Sequence, residues 1–264
     1  MNQHHTTTTR RLFGTLSILA LLSVAGHRVE AQTIVLGASE SFAVLAATTV
    51  TTSGASTLIG DLGVSPSGTI VGFTDGDVDG AIHLNTATSL SAQEDATIAY
   101  NQLAGLTPTQ DITGSDLGAR TLNAGVYSYA SSAAFNGLLT LDGQDLAGGL
   151  FVFQIGSTLT TANASFNFIN GASADNVWFQ IGSSSTLGAG TSFAGTIIAN
   201  VSNTLATGVT IDGRIFALTG AITMDAAQIT NTGIIPEPAS QALIVALAAL
   251  LLVGIRRPGH HAAR

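Results

Sequence analysis

Apolar residues in the middle of this chain come in strand-length bursts separated by Gly, Asn and Asp. Setting the residues from Leu187 beside those from Leu205, an offset of eighteen, puts Gly190 opposite Gly208, Ser192 opposite Thr210 and Phe193 opposite Ile211. Further along, Gly195, Ile197, Ile198 and Ala199 face Gly213, Ile215, Phe216 and Ala217. The stretch Phe153-Gln154-Ile155-Gly156-Ser157 recurs as Phe179-Gln180-Ile181-Gly182-Ser183, with the extra residues in "FNFINGAS", where a loop insertion would fall. One more turn reads from Ile222 to Ile229. A repeat of about eighteen residues with recurring aliphatic and glycine positions is the pattern of a solenoid, in which each coil is too thin to bury its own apolar side. Stacked coils set their strands about 4.8 Å apart, so like residues form ladders. Leu187, Leu205 and Ile222 are expected in one inner ladder, and Phe193 and Ile211 in another. In strand alternation Phe153, Ile155, Phe179 and Ile181 face one side and Gln154 and Gln180 the other. Gly195 and Gly213 mark tight corners.

One segment departs from this rhythm. From Asn85 to Leu106 no glycine occurs before Gly105, and Ala92, Ala96, Ala99, Leu103 and Leu106 recur at helical spacing. This predicts a helix over about 86–104, with Asn85 or Thr86 capping its start and Gly105 its end. Its apolar stripe should lie along the solenoid flank and protect a sheet edge. The fold class is therefore mainly β: an irregular β-helix with one long helix packed alongside.

Composition narrows the chemistry. There is no lysine, and six of the eight arginines lie near the two ends. Between Gln32 and Ile235 only Arg120 and Arg214 oppose fourteen carboxylates, a balance that repels phosphate backbones and argues against nucleic acid as a partner. The absence of cysteine removes disulfides, thiolate metal sites and cysteine nucleophiles.

Both ends read as addresses. Arg10 and Arg11, an apolar run from Leu12 to Ala25 and the small residues before Gln32 form a secretion signal over residues 1–31. The aromatic residue after the arginine pair also resembles a twin-arginine signal. At the other end, Pro236-Glu237-Pro238, an apolar run from Gln241 to Ile255 and Arg256-Arg257 resemble, in that order, a PEP-CTERM sorting tail over residues 236–264. The apolar run, an expected C-terminal hydrophobic helix, is shorter than the ~20 residues of a comfortable transmembrane span. The resemblance implies an exosortase-type enzyme as partner and delivery to the cell envelope or an exopolysaccharide matrix. "PGHHAAR" after the basic pair departs from the pattern, and a simple C-terminal anchor is the alternative.

Catalytic signals are sparse. Asp75, Asp77 and Asp79 followed by Gly80 match the opening of a calcium loop, but Thr86 stands where the bidentate glutamate is needed. A solvated acidic turn is the reading preferred over a weak calcium site. His83 is the only histidine between the two ends, so any Ser-His-Asp arrangement would have to use it, and no G-x-S-x-G elbow occurs. No cofactor is expected, and a polysaccharide-cutting enzyme, with two carboxylates hidden among the fourteen, is the least favoured class.

The stretches "SFAVLAATTVT", "IGDLGVSPSG", "AIHLNTATSLSAQEDATIAYNQLAG", "TLNAGVYSY", "LTLDG", "FVFQIGSTLTT", "VWFQIGSSSTLGAGTSFAGTIIA" and "GVTIDGRIFALTGAITMD" resemble the microbial ice-binding-protein family from about Leu36 to Ile229, within a domain expected over residues 32–235. The resemblance implies a right-handed discontinuous β-solenoid with a flanking helix, a flat face that adsorbs to the ice crystal surface, and no enzymatic activity. Threonine suits such a face, because its methyl restricts water and its hydroxyl anchors it. The candidates straddle the glycine of each aligned coil: Thr207 and Thr210, Thr191 and Ser192, and Thr161 and Asn163 in the coil before. They resemble the family's short Thr-(Ala/Gly)-x-(Thr/Asn) pattern, which Ala189 breaks in one coil. The alternative function is a structural or adhesion module of an exopolysaccharide matrix without ice activity.

Overall fold

Eighteen-residue coils dictate parallel stacking, because every strand returns to the same face in the same direction. The computed structural model describes residues 33–231 apart from positions 75 and 147. Every strand pair is parallel, arranged in one sheet of twelve strands and one of eight. The repeat holds residue for residue: Ser192–Ala199 runs beside Thr210–Ala217 from Ser192↔Thr210 to Ala199↔Ala217. The strands that carry the repeated pentapeptides also pair in step, from Phe151↔Val177 to Ile155↔Ile181.

The ladders follow from that register. Tyr127, Phe153 and Phe179 stack inside the coils, with ring centroids 5.6 and 4.5 Å apart and planes within about 20°. Phe166 and Phe193 meet this column edge to face, the arrangement aromatic quadrupoles favour. Leu187 pairs with Leu205 as expected, but the next rung is Met224 and not Ile222, which stands beside Asn203. The offset in this last coil is nineteen, not eighteen, because the corner Leu218-Thr219-Gly220-Ala221 is one residue longer than its counterpart Asn200-Val201-Ser202.

Two corners need unusual backbone. Gly195 and Gly213 have φ of +106° and +141°, and a Cβ on Gly213 would lie 2.0 Å from the carbonyl oxygen of Gly195. Only a residue without a side chain lets consecutive coils stack so closely there. At the next corner Asn163, Gly190, Gly208 and Ala226 all take the left-handed conformation.

The chain does not run through the solenoid in one pass. The first coil, containing Phe42–Ala46, Thr49–Ser53 and Thr57–Ile59, docks against the last one, pairing with Thr210–Ala217, Ile222–Asp225 and Gln228–Thr230. The connection that makes this possible includes the helix Ala87–Ala104. Thr86 caps it, its hydroxyl receiving the Ser89 N–H while the Ser89 hydroxyl receives the Thr86 N–H. Ala92, Ala96, Ala99 and Leu103 are buried against Phe42, Leu45, Val152, Trp178, Ile198 and Phe216. The helix thus covers the outward side of the strands and not a sheet edge, since small alanines let its backbone lie flat on the large residues below. Gln154 of the first pentapeptide fixes its end, donating from Nε2 to the carbonyls of Leu103 (2.7 Å) and Leu106 (2.8 Å). Gln93 reaches the other way, to the carbonyls of Ala217 and Leu218.

Among the described residues no helix is long and apolar enough to cross a membrane. The secretion signal, the C-terminal hydrophobic helix, Pro236, Glu237, Pro238, Arg256 and Arg257 lie outside the described residues.

Candidate functional site

The coils present three sides, of which the helix covers one. On a second side lie Leu159–Ile169, Ser185–Leu187, Asn203–Leu205, Ile222–Asp225 and Thr49–Ser53, in the eight-stranded sheet. Their centres read Leu-Thr-Thr, Ser-Thr-Leu, Asn-Thr-Leu, Ile-Thr-Met and Val-Thr-Thr. In each triplet the flanking residues are buried and the middle threonine points outward, exposed except for the half-buried Thr51. Pairing places them in one unbroken column: Thr160↔Thr186, Thr186↔Thr204, Thr204↔Thr223 and Thr223↔Thr51. Ala134 and Val71 continue it at the two ends.

At about 4.8 Å per strand this column runs for about 19 Å, and a second outward column stands about 6.6 Å to its side along the strands. That second column holds Thr158, Ser184, Ser202, Ala221 and Thr49, all half-buried, and the Ser184 and Ser202 hydroxyls accept the Ser202 and Ala221 N–H groups of the next coil. Neither column contains a charged side chain. The floor beneath is rigid: Ser185 donates to Asn203 Oδ1, and Asn203 Nδ2 donates to the carbonyl of Phe216 at 2.8 Å. Threonine χ1 is already restricted on a strand, so these hydroxyls hold their lattice with little further loss of freedom.

The residues singled out from sequence occupy other places. Thr161 and Thr191 are buried, at 2 % and 1 % exposure, with their hydroxyls 2.7 Å apart beneath the corner. They cannot touch an external surface. The glycine that flags the repeat is a corner, and next to a corner the alternation turns these two side chains inward. Asn163 is exposed at the corner itself, with φ +48°. Thr207 is exposed beside that corner and hydrogen-bonded to Asp225, which also receives the Ser53 hydroxyl. Ser192 and Thr210 are exposed and paired with each other, but they begin the third side. The six are therefore not one face. The threonine column is readable from the sequence: Thr186 and Thr204 obey the eighteen-residue offset, between the buried ladder positions Leu187, Leu205, Ser185 and Asn203.

Of the three carboxylates of the acidic turn, only Asp77 and Asp79 are among the described residues. Asp77 accepts the Thr74 N–H and hydroxyl at 2.5 and 2.8 Å, and these bonds hold its pKa below the usual carboxylate range. Asp79 lies in the neighbouring two-residue strand and Asp75 is outside the described residues. Among the described residues no three His, Asp or Glu side chains converge to hold a metal ion. His83 sits 3.8 Å from Asp61 and tilts against Phe42.

Comparison with known proteins agrees with this architecture. The Ice-binding-like family profile matches residues 44–230. An ice-binding protein of Nostoc sp. (strain HG1) is 45 % identical over 240 residues, covering 86 % of this chain and 89 % of the relative. The crystal structure of an ice-binding protein from an Antarctic biological consortium superposes with a TM-score of 0.73 at 38 % identity, covering 84 % of this chain and 96 % of that one. The ice-binding protein of the Antarctic ascomycete Antarctomyces psychrotrophicus gives a TM-score of 0.71 at 40 % identity, over 75 % of this chain and 98 % of that one. With a family match across nearly the whole solenoid and a relative this similar over most of its length, the chain belongs to the Ice-binding-like family.

Proposed function

We propose that this protein binds the surface of ice crystals through the outward column Thr160, Thr186, Thr204, Thr223 and Thr51 and the hydroxyl-rich column beside it. The observation that carries the reading is the unbroken register of five threonines in one column that holds no charged side chain, with Asp225 at its flank tied up by the Thr207 and Ser53 hydroxyls. A charged group would keep its own tightly held water and compete with a lattice. A methyl and a hydroxyl on each rung instead confine water between the columns and anchor it, so that the ordered layer merges with the crystal. Because the side chains are already fixed, adsorption loses little conformational entropy. Ice can then advance only between adsorbed molecules, with a curved front that costs surface energy and halts growth.

The relatives and solved structures described above are named for the same activity, which supports the reading. The test is direct: the purified protein at micromolar concentration should shape ice crystals and block recrystallisation. Unaltered ice growth would remove the reading. The place of action is also proposed, from the sequence of the two ends alone: export by the signal at residues 1–31 and delivery to the envelope or its matrix by an exosortase acting on the 236–264 tail. Fractionating cells that express the chain with and without Pro236-Glu237-Pro238 tests this. Equal release of both forms into the cytoplasm would contradict it.

A further inference from the structure

The two ends of the solenoid differ. One terminal coil holds the strands Thr69–Val71, Val78–Asp79 and Ile82–Leu84, and among the described residues each pairs with a single strand, leaving its other edge open. Register places Ile70 beside Val50, Val78 beside Leu58, Ile82 beside Leu62 and Leu84 beside Val64, and all four partners are buried core residues. Ile70, Val78, Ile82 and Leu84 are thus core positions of a coil on which, among the described residues, no further coil stacks. Ile82 is 53 % and Leu84 45 % exposed, with Ile70, Phe73 and Val78 half-buried beside them. At the opposite end Ile112, Leu117 and Leu122 are all buried.

An apolar end ringed by open strand edges is what repeat proteins cover with a polar terminal unit, and such edges readily take another strand. The chemistry of this end selects its partner. A lipid surface has no groups to pair with strand backbone, and one extended peptide could pair with only one of the three sides. A second coil of the same outline meets all three sides and the apolar centre at once. The chain already joins non-consecutive coils in this manner, since strands within residues 42–59 dock on strands within 210–230. Only one end carries the apolar centre, so the pairing closes as a dimer and does not grow into a filament.

Charge decides which sides meet. A two-fold axis through Val78–Asp79 would bring Asp79 against its own copy, and one through Ile82–Leu84 would leave it no charged or imidazole partner. An axis through Ile70 sets Asp79 opposite the partner's His83, Val78 opposite the partner's Leu84 and Thr69 opposite the partner's Val71. Each of these antiparallel pairs matches an outward residue with an outward one, or a core position with a core position. We propose that two copies of this chain join end to end through this coil, about a two-fold axis that crosses Ile70 at right angles to the solenoid. That axis leaves both threonine sides facing the same way. The column ending in Thr51 and Val71 runs on into the partner's Thr69 and the partner's Thr49, giving one longer surface. The use of that longer surface rests on the ice-binding reading; the association does not.

Sedimentation velocity of the purified protein over a concentration series tests this. A single coil face is at the small end of interface sizes, so half of the chains should be dimeric at a concentration on the order of 100 µM. Leu84→Lys and Ile82→Lys each set a charge on the apolar centre at an exposed position, so each should fold and weaken the dimer at least about tenfold. The chain has no cysteine, so Asp79→Cys and His83→Cys chains each carry one thiol. Mixed and oxidised with copper phenanthroline, they should crosslink to each other far more than either does alone, which decides the matter even where a lysine variant folds poorly. A monomer throughout a series reaching about five times that midpoint would overturn the proposal. So would a dimer that neither lysine change weakens, or equal crosslinking in mixed and unmixed samples. None of these measurements involves ice, so the association and the ice-binding reading fail separately.

Discussion

Thr161 and Thr191 decide whether the corner threonines belong to the surface or to the scaffold. Their hydroxyls meet at 2.7 Å with both residues almost fully buried, and Thr161 Oγ1 also receives the Gly188 N–H at 3.2 Å. Thr161→Val removes one hydroxyl and leaves the Thr191 hydroxyl in the interior without a partner, a loss of about 1–3 kcal/mol. The Gly188 N–H keeps the Thr161 backbone carbonyl at 3.0 Å, which favours the lower half of that range. Thr191→Val should cost about the same, because Thr161 then loses its hydroxyl partner. The double valine variant removes both polar groups together and should be less destabilised than the sum of the two, with a coupling of about 0.5–3 kcal/mol. For a domain of this size each kcal/mol moves the melting temperature by about 2–4 °C. Thermal melts of the three variants by circular dichroism therefore should show drops of several degrees for each single change and a partial recovery in the double. Ice-growth inhibition per folded molecule near 0 °C should equal that of the parent. A single variant that melts like the parent but no longer inhibits ice growth would refute the interior placement.

Three further outcomes follow from particular contacts. Gln154→Leu removes both side-chain bonds to the helix end, so amide exchange over residues 101–106 should quicken while the coil strands keep their protection, with a loss of about 1–3 kcal/mol; unchanged exchange would show the anchor to be idle. Gly213→Ala forces a Cβ onto the Gly195 carbonyl at positive φ, so the variant should fail to fold or melt far below the parent by calorimetry. For Asp116, burial alone would raise the pKa, but hydrogen bonds from Asn136 and Gly118 outweigh it and set the folded value below the usual one. A depressed folded pKa contributes stability above the unfolded value of about 4 that is lost as pH falls through the folded value. Urea melts between pH 5 and pH 2 should therefore decline less for Asp116→Asn than for the parent; parallel curves would contradict the assignment.

The coil register is legible in the chain because it rests on residues that must be identical in kind from rung to rung. Phe153 over Phe179, Ile197 over Ile215 and Gly195 over Gly213 all pair as the repeat implies. The helix is legible from its alanine spacing and its caps. What the chain does not announce is which polar residue points where near a corner. Thr161 and Thr160 are adjacent threonines with opposite fates, and only the phase of the strand, set by Leu159 and Leu187, tells them apart. Tying the phase to the corner glycines moves it one residue out of step. The docking of the first coil on the last is also invisible, because Thr51 joins a column whose other members begin more than a hundred residues later.

The central claim rests on the exposed column, and its middle rung, Thr204, tests it most directly. Thr204→Tyr places a large ring outside the sheet between Thr186 and Thr223 without entering the core, so the melting temperature should stay within about 2 °C of the parent. Thr210→Tyr makes the same change on the third side, at a strand position that is also exposed. In an ice-recrystallisation assay the Thr204 variant should lose most of its activity while the Thr210 variant retains that of the parent. Retained activity in Thr204→Tyr, or its loss in Thr210→Tyr alone, would contradict the account.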